Sequence, residues 1–356
     1  MKRRLFGLSL LAGLLTVALS ACGGTETVTE TVEVEKIVEV EVAPAPATAD
    51  WTFNHCSQID KFHDQMFNFW ADKATAASGG RLTVDMQGAS VLGYKCAEGL
   101  GAIGDGLVPV GEVIGGWTTS EIPMMNLETM PFMTTSYAEG NLLATIMADM
   151  GHHDALADKG VKPLFNYCFT GQHYWTKMPI KSLSDIANVK IRVYNQITSD
   201  MIQAVGASPV TIDMADLYTA LQRGVVDGSV TSALTARDSN FHEVLSHGNA
   251  VYFAAPCTSV VAVNSDAWAS TAGDLQAAVL SAAEDARRYA RIRVEDEEIA
   301  LFTELESRGM SIVAPPPSVI LELREKTAPM LTSFTAENAD AAAIVAKFNE
   351  LKAAPG

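Results

Sequence analysis

Basic charge is scarce in this chain: 25 lysines and arginines stand against 42 aspartates and glutamates, a formal net charge of -17. So acidic a surface argues against nucleic acid, whose phosphates require a basic face. Cysteine is sparse too, with five in 356 residues, and no two form a CxxC unit that would point to zinc or thiol redox chemistry. A GxSxG elbow, an HExxH pair and a phosphate loop are all missing, so no nucleophile, metalloprotease or nucleotidase is nominated. The histidines do not fill the gap. His152 and His153 are adjacent, and His242 and His247 are five apart rather than the four of a helical metal pair. No metal, no cofactor and no enzymatic activity are expected.

What is present begins with an export signal. Lys2, Arg3 and Arg4 precede an apolar run over residues 5–19, and Leu19-Ser20-Ala21-Cys22 resembles a bacterial lipobox. This predicts a signal peptide over 1–21, with lipid on Cys22 anchoring the protein at an extracytoplasmic membrane face, periplasmic or outer. An ordinary signal peptide with an incidental cysteine and an uncleaved membrane anchor are the alternatives. Residues 22–50 alternate glutamate with valine and then turn Ala/Pro-rich. Their like charges, with Pro44 and Pro46, favour an extended tether over a paired strand.

The folded part is expected from Trp51. It is long enough for two lobes, because single cores tend to stop growing at about 250 to 300 residues. The most informative stretch is 188–228, which reads as strand, helix, strand, helix, strand. Val189, Ile191 and Val193 alternate with Lys190, Arg192 and Tyr194, turning Arg192 away from the strand's apolar face. Thr198 or Ser199 is the expected cap of a helix ending at Gly206, followed by a strand over 209–212. Asp213 caps a second helix that Gly224 stops, ahead of a strand over 225–227. Strands joined by single helices imply a parallel sheet, and such sheets bind ligands at their carboxyl ends. Earlier, a strand over 51–55, a helix over 62–77 and a strand over 81–86 are predicted. Residues 274–308 lack Gly and Pro and read as one long helix, with a break near Val294 as the alternative.

The blocks KIRV, GASPV and DLYTALQRGVVDG, in that order and spacing, resemble the dicarboxylate-type extracytoplasmic receptors of TRAP transporters, the tripartite ATP-independent solute importers. Ser78-Gly79-Gly80-Arg81-Leu82, Leu92-Gly93, Gly104-Asp105-Gly106 and Pro131-Phe132 extend the likeness along nearly all of the folded part. The resemblance implies an α/β, two-lobed periplasmic-binding-protein-like fold with a ligand cleft between lobes and a long helix bracing both. Lobe I would span 51–169 plus about 258–297, and lobe II 170–257 plus about 298–356. It implies a monomeric receptor that captures a small organic acid and presents it to integral membrane permease subunits.

In that family the arginine of the KIRV block grips the solute carboxylate, which assigns the role to Arg192, whose planar fork suits a bidentate carboxylate. Gln172 falls where many members carry a second basic residue, Thr231 where asparagine is usual and Met214 near a position often aromatic. With Trp175 and Tyr194 these suggest a monocarboxylate with an apolar, aromatic or hydroxylated body rather than a compact dicarboxylate. Glu112 fits a first-lobe polar position, and His55 and Tyr94 are loop residues at strand ends. Of the cysteines beyond Cys22, the pairs Cys56 with Cys96 and Cys168 with Cys257 are preferred. The first two follow strands of lobe I, and the resemblance puts the other two where the chain crosses between lobes. Free buried thiols remain the alternative. An ABC-type solute receptor, a secreted hydrolase or lyase, and an adhesive lipoprotein are the competing functions.

Overall fold

The computed structural model describes residues 4–16, 29–41 and 47–353; Cys22 lies outside them. The chain divides into two units, 1–47 and 48–356. In the first, β1 (Arg4–Thr16) pairs antiparallel with β2 (Thr29–Glu41), Arg4 opposite Glu41. The Glu/Val segment therefore runs as a paired strand here, the arrangement set second to an extended tether on charge grounds; period-two alternation is compatible with it.

The second unit's strands are β3 (Ala49–Asn54), β4 (Leu82–Gln87), β5 (Val110–Val113), β6 (Val161–Tyr167), β7 (Gln172–Thr176), β8 (Lys190–Val193), β9 (Ser208–Thr211), β10 (Gly228–Ser232), β11 (His247–Asn249), β12 (Ser259–Asn264) and β13 (Ser311–Val313). They form a five-stranded sheet, β4-β3-β5-β12-β6, and a six-stranded sheet, β13-β11-β7-β10-β8-β9. Each sheet is the centre of one lobe. In β12 the alternation sorts the core: Val261 and Val263 face the helix Phe62–Ala77 and the long helix, while Val260 and Ala262 face the opposite layer. The second sheet is likewise double-sided. Ile191, Val193 and Val230 pack with Met201 and Ile202 on one face, and Trp175 packs with Leu217, Leu221 and Phe241 on the other.

A single helix, Gly273–Ser307, runs 35 residues without a break, roughly 50 Å at 1.5 Å per residue. Leu275, Val279, Ala282 and Ala286 lie in the first lobe's core, and Val294, Leu301 and Leu305 in the cluster under the second sheet. The change of partner falls between Ala290 and Val294, about one turn before Glu298, which is buried and accepts hydrogen bonds from Tyr137 (2.8 Å) and His173 (2.9 Å). The backbone N–H of Tyr252 donates to His173 Nδ1, so the ring proton sits on Nε2, facing Glu298. Beside this hub the chain crosses between sheets at 168–171 and 250–258, and a Cys168–Cys257 disulfide ties the two crossings. A second disulfide, Cys56–Cys96, joins loops of the first lobe.

The local grammar of 188–228 differs from expectation in three details. Asn195, not Thr198 or Ser199, caps the helix Gln196–Ala204: its side chain accepts from Thr198 N at 2.9 Å, and Thr198 completes the box. The last strand starts at Gly228, three residues later than expected, with Asp227 N bonded to Lys190 O as the lead-in. The sheet as a whole is mixed, since β10 is parallel to β8 but antiparallel to β7. The chain end also departs from the lobe II assignment, because Ala341, Ile344 and Phe348 of Ala339–Ala353 pack in a first-lobe core. Among the described residues no helix is long and apolar enough to cross a membrane.

Candidate functional site

The parallel trio β9-β8-β10 brings three carboxyl ends to one edge, and the antiparallel β7 begins there, with Gln172 opposite Ser232. From this edge Gln172, Arg192, Tyr194, Met214, Thr231 and Ser232 line a cavity of about 50 Å³. The first lobe closes it with Gly116 and Trp117, which follow β5, and with Glu128 and Thr129 from the short 3-10 helix Pro123–Thr129. Phe169 and Pro256 come from the two crossings. An adjoining cavity of about 510 Å³ shares Phe169 and Met214 and carries residues of both lobes.

Arg192 is only 2 % exposed. Its Nε donates to the Ile212 carbonyl at 2.8 Å, and its guanidinium lies 5.5 Å from the Tyr194 ring and 5.9 Å from that of Trp117. Burial pulls its pKa down to about 10, which still leaves it charged at neutral pH. No carboxylate among the described residues forms an ion pair with it. Burial raises the Tyr194 phenol well above its ordinary range; its hydroxyl donates to Gln172 Oε1 at 3.1 Å, and Gln172 Nε2 donates to Thr170 O. Asn195 Nδ2 reaches the other lobe, donating to Gly116 O and Thr129 Oγ1, each at 3.1 Å.

Of the nine binding residues expected from sequence, five meet in this cavity: Arg192, Gln172, Tyr194, Met214 and Thr231. Four do not line it. Trp175 stands in line with Ser229 and Arg192 across the sheet, but its ring fills the space that Gly248 leaves, where an added Cβ would lie 2.6 Å from it. Its indole N–H donates to Thr231 O. Glu112 is consumed locally, accepting from Tyr167 OH (2.6 Å), Ser57 Oγ and Cys56 N. His55 is buried against Asp64 at 3.0 Å, and Tyr94 packs on a first-lobe core. Of the lysines that could supply a second charge, Lys95 pairs with Asp216 (3.7 Å) and Lys177 with Asp227 (2.7 Å), while Lys190 is exposed at the start of β8 and does not line the cavity. Sequence reasoning missed Glu128, Trp117 and Phe169. The available signal for Glu128 was a lone carboxyl inside the apolar run Met124 to Phe132.

Residues 53–338 match the family DctP, bacterial extracellular solute-binding protein family 7. The chain belongs to this family. It is therefore an extracytoplasmic solute receptor of the TRAP type rather than an enzyme, a binding component that works with membrane permease subunits. Among similar receptors, a solute-binding protein of Roseobacter denitrificans is 26% identical over 238 residues, covering 64% of this chain and 72% of that one. The 2,3-diketo-L-gulonate-binding periplasmic protein YiaO of Escherichia coli is 24% identical over 54% of this chain and 58% of its own. Among solved structures, DctP7 of Bordetella pertussis, an extracytoplasmic receptor binding pyroglutamic acid, is 25% identical with a TM-score of 0.80, covering 84% of this chain and 99% of its own. A marine metagenome TRAP receptor specific for pyroglutamate is 26% identical at the same TM-score, covering 85% and 99%.

Proposed function

We propose that this receptor captures a compact organic acid with a single carboxylate, held by Arg192, and delivers it to its permease partners. The observation that carries the reading is the buried Arg192 guanidinium lining the cavity with no carboxylate paired to it among the described residues. A buried charge without a partner costs several kcal/mol, and an incoming carboxylate offsets that cost with bidentate geometry. Arg192 carries the positive charge among the lining residues; Gln172 offers an amide where a second cation would be needed, so a second carboxylate would be buried unpaired. Trp117, Phe169 and Met214 give flat or soft apolar walls for the ligand body. The two pyroglutamate-binding relatives, both receptors for a compact monoacid, support the same class.

Capture is hinge closure in this reading. The lobes meet around the ligand, with Asn195 clasping Gly116 and Thr129, and the crossings at 168–171 and 250–258 bend. The receptor acts as a monomer held to the membrane by lipid on Cys22, supported by Leu19-Ser20-Ala21-Cys22. Cys22→Ala should move it from the membrane fraction to the soluble extracytoplasmic fraction. A thermal-shift screen against organic acids tests the ligand class, because a ligand of the native state raises the midpoint by mass action. Monoacids such as pyroglutamate should raise it; a response confined to neutral sugars or cationic amines would refute the proposal.

A further inference from the structure

The cavity holds a second buried charged-type group that the reading above leaves without work. Glu128 is 2 % exposed and lines the cavity from the first lobe, while Arg192 lines it from the second. The two are not within ion-pair distance of each other, and no cation pairs with Glu128 among the described residues. Its one hydrogen-bond partner there is the hydroxyl of Thr258, which donates to Oε2. Gly115 holds the carboxyl close: a Cβ at that position would sit 2.0 Å from Oε2. A buried carboxyl with this little local satisfaction, facing the same small space as an unpaired guanidinium, is placed to touch the far end of whatever Arg192 holds.

We propose that Glu128 reads a ring amide on the ligand: the carboxylate lies on Arg192, and the lactam N–H and C=O pair with the Glu128 carboxyl from the opposite lobe. This rests on the monoacid reading given above and narrows it to cyclic amide acids. Two facts favour an amide over an ammonium. Burial pushes the Glu128 carboxyl up to about 7, so the protonated form is the major one below pH 7 and about half of the population at pH 7. A protonated carboxyl offers an O–H donor beside a C=O acceptor, and a cis amide is the complement that satisfies both in one plane. An ammonium would need an ionised Glu128 and would have to shed its own hydration, a larger penalty than a neutral amide meets. The groups facing Glu128 are Arg192 and Tyr194 from the second lobe, Tyr167 from β6 with Glu112 behind it, and Thr258 from the return crossing. Of these only Arg192 carries a positive charge.

The test is calorimetry on the purified protein with four five-membered acids: pyroglutamate, tetrahydrofuran-2-carboxylate, cyclopentanecarboxylate and proline. Pyroglutamate should bind at least tenfold more tightly than the other three, with affinity falling roughly tenfold as pH rises from 6 to 8.5. Glu128→Gln keeps one donor and one acceptor; it should hold pyroglutamate within a few fold of wild type and lose the pH dependence. Glu128→Ala should lose at least tenfold for pyroglutamate while cyclopentanecarboxylate changes little. The wild-type panel decides the matter even if Glu128→Ala does not fold. Proline binding best, or binding indifferent to the lactam and to Glu128 while still requiring Arg192, overturns this inference alone. Failure of every acid to bind wild type overturns the monoacid reading as well.

Discussion

Arg192 is an expensive residue to keep where it stands: 2 % exposed, with one hydrogen bond from Nε and aromatic rings on two sides. If its work is to hold a carboxylate, Arg192→Ala should cost about 2 to 5 kcal/mol of binding, because it leaves the ligand's desolvated charge unpaired. Arg192→Lys should recover little, since a point charge cannot make two parallel hydrogen bonds. Calorimetry giving Arg192→Ala within a few fold of wild type would assign the carboxylate elsewhere. At this scale the sequence was readable where a side chain's direction follows from strand alternation, as for Arg192 on β8. It was not readable where packing decides. Trp175 shares a row with Arg192 yet turns into the core because Gly248 leaves it a space. Glu128 is brought to the cavity only by the path of Pro123–Thr129 over the first lobe.

At the scale of elements, the long helix is the part most plainly written in the chain, 35 residues with no glycine or proline after its first position. What the pattern could not reveal is the buried acid about one turn past the point where the helix changes core. Glu298 accepts from Tyr137 on one lobe and His173 on the other, beside the disulfide that ties the crossings. Glu298→Ala strands a phenol and a ring N–H, each worth about 1 to 3 kcal/mol when left unsatisfied. A stability loss of roughly 2 to 5 kcal/mol, seen in urea as a lower midpoint with unchanged slope, is the expected outcome. A loss below about 1 kcal/mol would mean the hub carries no such weight. Gln196–Ala204 shows the limit of local reading: three polar residues could cap it, and only the backbone path selects Asn195.

For the whole molecule, acid should be damaging. His63 and His152 are buried and held down to about 4, in each case first by desolvation. An unfolded histidine titrates near 6.5, so between about 6.5 and 4 the unfolded chain takes up protons that the folded chain refuses, and stability falls with pH. Each group is worth about 3 kcal/mol over that window. Glu128 works the other way: held up to about 7, it keeps its proton where the unfolded chain has lost it, so stability rises as pH drops from 7 toward 4.5. One such acid offsets about one histidine. The net expectation is a loss of roughly 3 kcal/mol between pH 7 and 4, measured by urea unfolding at several pH values; constant stability would contradict it.

The two-lobed architecture itself was legible because the KIRV, GASPV and VVDG blocks carry both a sheet edge and a family likeness, and residues 53–338 match that family. The C-terminal helix was not, since Ala341, Ile344 and Phe348 form an apolar stripe that either lobe could bury, and the chain takes it back to the first. In the proposed reading this cleft has one fixed positive charge and therefore takes one carboxylate. Competition calorimetry between a C4 dicarboxylate and its monoamide, succinate against succinamate, tests it most directly. The monoamide should bind at least tenfold more tightly; consistently tighter binding of the dicarboxylate would contradict the account.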